Sequence, residues 1–180
     1  MFTKTILLAA AAISAVAALP TATPPQKPTS TVTLTGVTHS VVAGRGGLRF
    51  DPENVVAQVG DVIEWHMTPK NHSIVQSSFA APCVPRDATS FFSGFFPVTE
   101  GQSAEVFQVV VETSEPIWYY CAQGNHCASG MVGVVNQNFD GPNTLAKFRE
   151  NAAKVTAPAG VQAQIQGGAR IPNPNPLSGF

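Results

Sequence analysis

Over most of the chain, the pattern of apolar and polar positions is that of a β-protein. Asp61-Val62-Ile63-Glu64-Trp65-His66-Met67 alternates, with Ile63, Trp65 and Met67 on one face and Val62, Glu64 and His66 on the other. That is the period of a half-buried strand. Runs of β-formers predict further strands over 31–35, 54–59, 73–77, 105–111, 117–121 and 131–136. Turn signals separate them: Asp51-Pro52, Gly60-Asp61, Thr68-Pro69-Lys70-Asn71 and Glu100-Gly101. Many short strands at this spacing predict a sandwich or small barrel, an all-β fold. One helix follows the last strand. Pro142 and Asn143 open it, and Leu145, Phe148, Ala152 and Val155 fall on one stripe that can pack back on the sheets.

The remaining segments read differently. Residues 77–97 form an irregular stretch that carries Phe79, Phe91, Phe92, Phe95 and Phe96. At the start, Lys4 precedes an apolar, alanine-rich run from Ile6 to Ala18 that Leu19-Pro20 breaks, with small residues at 15–18 for cleavage. This is the pattern of a secretory signal, and the run is too short for the ~20 apolar residues a membrane span needs. The expected organisation is a signal peptide over 1–18, a flexible proline- and threonine-rich leader over 19–30 and one β-domain over 31–137. A helical segment packed on the domain follows over 138–156, and a Gly-, Pro-, Gln- and Asn-rich tail over 157–180 is expected to be disordered. The tail shows no hydrophobic terminal segment of the kind a lipid-anchor signal requires.

Charge adds an exclusion. Ten Lys and Arg stand against eleven Asp and Glu, a formal net charge of -1, and the basic residues are scattered singly. No basic stripe is present for a nucleic-acid partner. Secretion changes how the three cysteines, Cys83, Cys121 and Cys127, are counted. In an oxidising compartment two are expected to pair, and the third needs a reason to stay a thiol.

The segment from Trp118 to Met131 supplies that reason. Cys121, His126 and Met131 present a thiol, an imidazole and a thioether as Cys-x4-His-x4-Met, within one loop between neighbouring strands. A thiolate, two imidazoles and a long thioether contact are the donor set of a type-1 copper site. The second imidazole has to come from elsewhere. His72, after the 69–71 turn, is the candidate; His66 and His39 compete for the role, and His66 reads as structural. Zinc is the rival metal, but methionine is a poor zinc ligand, so the thioether selects copper. With Cys121 on the metal, Cys83 and Cys127 are left to form a disulfide, which would tie the phenylalanine-rich segment to the ligand loop; a Cys83–Cys121 bridge is the alternative. Ser73 is a candidate brace for the loop. Asn71-His72-Ser73 is formally a glycosylation sequon, expected to be unused because a glycan there would crowd the site.

These residues carry a family resemblance. The segment resembles the copper loop of phytocyanins (plantacyanin and its relatives), with the layout Tyr-x-Cys-x4-His-Cys-x3-Gly-Met. Asn71-His72-Ser73 with Cys83 downstream resembles that family's first histidine and its disulfide partner. Phe50-Asp51-Pro52 through Gly60-Asp61 and Trp65 resembles the opening strands of cupredoxins. The whole set looks closest to fungal extracellular serine-rich cupredoxin-like proteins. The resemblance spans about residues 31–137 and implies an eight-stranded Greek-key cupredoxin-like β-sandwich holding one copper. It implies His72, Cys121, His126 and Met131 as ligands, with the edge of His126 as the electron port.

The expected function is that of a secreted one-electron carrier of blue-copper type, a monomer working with a redox partner of unidentified nature. Known copper enzymes fit poorly. Multicopper oxidases need several His-x-His pairs, and this chain has four histidines and no such pair. Lytic polysaccharide monooxygenases use an N-terminal histidine, which the mature chain is not expected to have. The alternative is a secreted interaction or surface protein in which copper is structural, sequestered or absent, favoured if the 91–96 phenylalanines form an exposed patch.

Overall fold

The computed structural model describes residues 32–176. The expected signal peptide and leader, and the last four residues of the expected tail, lie outside them. Eleven strands and one helix follow in chain order: β1 Thr38–Ala43, β2 Phe50–Asp51, β3 Asn54–Val55, β4 Val62–Met67, β5 Lys70–His72, β6 Val75–Ser77, β7 Phe96–Val98, β8 Glu105–Val110, β9 Ile117–Tyr120, β10 Val132–Val135, α1 Leu145–Ala152 and β11 Ala169–Pro172. They build a five-stranded sheet in the order β11-β8-β4-β1-β2 and a four-stranded sheet in the order β3-β10-β9-β6, with β5 and β7 as a separate pair. β1 runs parallel to β4 and β3 parallel to β10; the other pairs are antiparallel. The fold is the expected β-sandwich with one short helix.

The space between the sheets is filled by the residues the alternation points inward. Ile63, Trp65 and Met67 of β4 lie in one buried cluster with Val41, Phe50, Phe107 and Tyr119. Trp65 meets Tyr119 edge-on at 5.3 Å between ring centroids, and Phe50 meets the same ring at 4.9 Å. The other face of β4 is buried as well. There His66 Nε2 and Glu64 Oε1 lie 2.7 Å apart, and Gln108 donates to the second Glu64 oxygen. His66 is structural, as expected.

A second buried cluster covers the outer face of the four-stranded sheet. Phe148 and Ala152 of α1 pack there on Trp118, Tyr120, Val132 and Val134, with Leu145 and Val155 at the margin. Thr144 caps the helix by accepting a hydrogen bond from the Lys147 amide. Phe92 belongs to this cluster, whereas Phe91 and Phe96 belong to the first. Of the 91–96 phenylalanines, Phe95 alone is exposed, at 38%. The irregular segment fills the core and makes no aromatic patch.

Three expectations fail for identifiable reasons. Residues 32–35 form no strand, because the Thr35 amide and hydroxyl are taken by Gly60 and Asp61 and Gly36 turns the chain at φ +84°. The strand lies beyond that turn, where Val41 and Ala43 reach the core. β3 stops at Val55 because the Ala57 amide donates to the Asn136 side chain rather than to a ladder. The segment after the helix, expected to be disordered, is ordered over 157–176. Tyr120 donates to the Gly160 carbonyl, Gln166 pairs with Phe92, and β11 adds to the edge of β8. Arg170 then stacks 3.8 Å over the Phe96 ring and pairs with Glu105. A polar composition hid a strap held by the β11–β8 ladder and by hydrogen bonds to the 83–92 segment and to Tyr120 rather than by an apolar stripe of its own.

Phe148 is fully buried against Phe79 and Trp118. Phe148→Ala is expected to cost about 3–5 kcal/mol, and Thr144→Ala about 1 kcal/mol, both read from urea unfolding midpoints.

Candidate metal centre

β9 ends at Tyr120, so Cys121 leaves the sheet at the end of the sandwich where β4 and β1 also finish. Its thiol is fully buried. β6 pairs with β9 through Val75 and Tyr120, which brings the preceding residues Ser73 and His72 beside the thiol. The Ser73 amide points at the sulfur at 3.4 Å, and the Ser73 hydroxyl accepts from the Ala122 amide at 3.0 Å. Ser73 therefore braces the loop in both directions.

The loop returns on itself through three backbone hydrogen bonds. His126 N donates to Gln123 O, Met131 N donates to His126 O and Cys121 N donates to Met131 O. This closes Cys121, His126 and Met131 into one turn, and Met131 is buried in the same cluster as Cys121. Both imidazoles aim Nδ1 at the sulfur, His126 from 3.4 Å and His72 from 3.9 Å. Among the described residues, His72, Cys121 and His126 are the one group whose metal-binding atoms lie together, all within 4.8 Å of one another. His72 is buried and His126 half-buried, with the two rings 5.2 Å apart.

The rival histidines are engaged elsewhere, His66 with Glu64 and His39 Nε2 with Asp61 Oδ2 at 2.7 Å. Cys83 and Cys127 form the disulfide, so the Cys83–Cys121 alternative falls. The bridge closes a separation of 44 residues, worth about 4 kcal/mol of loop-closure entropy. It pins the residue next to His126 to the irregular segment.

Two positioning contacts escaped the sequence. At Gly44, φ is +96° and a Cβ would sit 2.3 Å from His72 Nε2, so only glycine leaves room for that ring. Asn71 donates to Gln123 Oε1 at 2.8 Å, joining β5 to the ligand loop across its outer edge. A Gly within Gly-Arg-Gly-Gly looks like an ordinary turn, and nothing in the spacing pairs Asn71 with Gln123.

The electrostatics suit a soft metal ion. Burial, and then the neighbouring His126, hold the His72 imidazole down at about 4. Burial and Lys70 lower His126 as well. Both rings are thus neutral at pH 7, with lone pairs free to bind. Burial pushes the Cys121 thiol up, against backbone hydrogen bonds from Gln123 and Ser73 that favour the thiolate. A cation in the pocket would supply the charge that thiolate needs. A thiol, two neutral imidazoles and a buried thioether fit copper better than zinc.

No protein-family model matches the chain. Among curated proteins of Arthroderma benhamiae, it is 36% identical over 129 residues to a probable GPI-anchored cupredoxin, covering 69% of this chain and 66% of that one. It is 32% identical over 143 residues to an extracellular serine-rich protein, covering 77% of this chain and 55% of that one. The chain belongs to the cupredoxins. The chain spans between about half and two thirds of the length of these relatives. Among solved structures, this cupredoxin is similar to a pseudoazurin from Hyphomicrobium denitrificans, at 22% identity and a TM-score of 0.42 over 67% of this chain and 100% of that one. It is also similar to a purple cupredoxin from Nitrosopumilus maritimus, at 19% identity and a TM-score of 0.39 over 53% and 95%. Both scores are too low to add weight. In this cupredoxin His72, Cys121 and His126 are brought together as one group able to hold a metal ion, with Met131 buried in the same cluster as Cys121.

The depressed His72 sets a pH dependence in the metal-free protein. Between pH 6.5 and about 4 the unfolded imidazole holds a proton that the folded one does not. Stability is therefore full above 6.5 and falls as pH drops toward 4, by up to about 3 kcal/mol. Urea titrations of metal-free protein across that range measure it. Gly44→Ala is expected to cost about 1–3 kcal/mol by driving a methyl into the His72 ring, read in the same assay at pH 7.

Proposed function

We propose that this protein is a secreted one-electron carrier whose copper is held by His72, Cys121, His126 and Met131. The observation that carries the reading is the convergence of both Nδ1 atoms on the buried Cys121 sulfur, at 3.4 and 3.9 Å, in a loop tied to two strands. Bound copper would supply a one-electron couple between Cu(II) and Cu(I). The residues around it do the rest. Ser73 and the backbone bonds of the loop fix the donors whichever charge the site carries, which keeps reorganisation small. Met131 and the buried cluster behind it exclude water. His126 is half-buried, so its outer edge is the route by which an electron leaves or enters.

The spacing Cys-x4-His-x4-Met resembles the ligand loop of plantacyanin-like phytocyanins, and Met131 would offer copper its thioether. Catalysis of its own is not part of the proposal. Such a site has no open position for substrate, and His39 and His66 are held by Asp61 and Glu64 and offer nothing to a second metal. Secretion is supported by the leader pattern of residues 1–18 and by the relative described as extracellular. Among the described residues no helix is long and apolar enough to cross a membrane. The rival reading, a secreted interaction protein suggested by the phenylalanine-rich loop and the long tail, lacks an aromatic patch to dock on, because Phe91, Phe92 and Phe96 are buried.

Visible absorption and electron-spin-resonance spectra of protein loaded with Cu(II), beside Cys121→Ser, test the assignment. An intense blue thiolate-to-copper band, absent from the variant, and a reversible voltammetric couple are expected. A protein that stays colourless with Cu(II) and binds none would overturn the reading.

A further inference from the structure

The charges of this protein are distributed by position in a way its net charge of -1 conceals. Most basic side chains of the described residues are neutralised by a carboxylate: Arg49 by Asp51, Arg86 by Asp87, Lys147 by Glu150, Arg149 by Glu53 and Arg170 by Glu105. Arg45, Lys70 and Lys154 have no such partner, and all three are exposed. All three also lie at the copper end. Lys70 shares β5 with His72, two residues away and on the same side of the strand, and it acts on both His72 and His126. Arg45 adjoins Gly44, whose Cα faces the His72 ring. Lys154 precedes Val155, which lines one cleft with Gly124, Asn125 and Ala128 of the ligand loop.

Exposed carboxylates without an ion-pair partner gather at the other end. Glu112 and Glu115 lie between β8 and β9, and Asp140 lies beyond the far end of β10. Glu100 is the exception, in the turn between β7 and β8, and no carboxylate acts on either site histidine. The molecule is therefore polarised, positive around the half-buried His126 edge and negative at the opposite pole.

Building on the electron-carrier reading, we propose that the surface around His126 docks a redox protein presenting a carboxylate-rich face, with Arg45, Lys70 and Lys154 as the positive rim that orients it. The three cations come from three separate segments around the port. That spread fits a macromolecular face better than a single small anion. Complementary charge at such a rim raises the encounter rate and turns the productive face toward the partner.

The test compares how fast reduced protein is oxidised by hexacyanoferrate(III) and by the cation tris(phenanthroline)cobalt(III). Each oxidant takes one electron from the protein, with no bond or proton transferred. Raising ionic strength from about 0.01 M to about 0.15 M shortens the screening length from about 30 Å to about 8 Å. The rim predicts that the rate with the anion falls by about tenfold over that range, while the rate with the cation rises. The net negative charge alone predicts the reverse. R45E/K70E/K154E is expected to invert the anion's salt dependence. E112Q/E115Q, which moves the net charge the other way at the far pole, is expected to leave the low-salt rate within about twofold.

A rate with hexacyanoferrate(III) that rises with salt, or that ignores the rim variant, overturns the proposal while leaving the blue site intact. Failure to bind copper sinks the carrier reading separately. Backbone NMR titration of metal-free protein with a hexaglutamate peptide then decides the docking surface on its own. Shifts confined to 44–46, 70–72, 124–128 and 154–155 support it, and shifts elsewhere or none overturn it.

Discussion

The site depends on one awkward requirement: a thiol must be buried and yet ready to carry negative charge. Burial alone opposes that, pushing the Cys121 proton affinity up. The structure answers with an N–H rather than a fixed cation. The Ser73 amide faces the sulfur, and the Ser73 hydroxyl ties down the Ala122 amide one residue further on. Pairing of β6 with β9 is what puts Ser73 there. His72, as the residue before it, is then delivered to the same point with no further device than the Gly44 clearance. Much of the sandwich can be read as support for that pairing: a stacked core behind Cys121, a helix over the outer face, and a disulfide that anchors the residue beside His126.

Around that requirement the molecule is arranged in depth. Cys121 and Met131 are fully buried, His72 nearly so, and His126 is the half-buried member facing outward. The described chain after the helix, which has no repeating apolar stripe, closes the opposite edge of the phenylalanine-rich segment through Gly160, Gln166 and β11. Rigid donors behind, one exposed edge in front and unpaired cations beside it form a consistent layout for passing an electron to a macromolecule without opening the pocket.

The parts legible in the sequence are those where a single physical rule acts locally. Alternation reveals β4, runs of β-formers reveal β6, β8, β9 and β10, and a 3.6-residue apolar stripe reveals α1, whereas its Thr144 cap shows only in the structure. The metal loop was legible because Cys121, His126 and Met131 lie in one turn, so spacing stands in for geometry. His72 was harder, needing a contact 49 residues away in sequence, and the Asn-His-Ser context supported it. β5, β7 and β11 are short and are specified by their partners rather than their own pattern. The bridge from Asn71 to Gln123 and the fit of Gly44 under the His72 ring leave no local trace. The strap over 157–176 is hidden for a related reason: its ordering comes from strand pairing and polar contacts with distant segments, which composition reports as disorder.

A crystal structure of the copper-loaded protein, superposed on the metal-free form, tests the account at its centre. The account predicts one copper bonded to Nδ1 of His72 and His126 and to Sγ of Cys121. The Met131 sulfur should approach as a longer axial contact, and Ser73 should still point its amide at the thiolate. Copper bound elsewhere, or a pocket in which Cys121 is not a ligand, would contradict it.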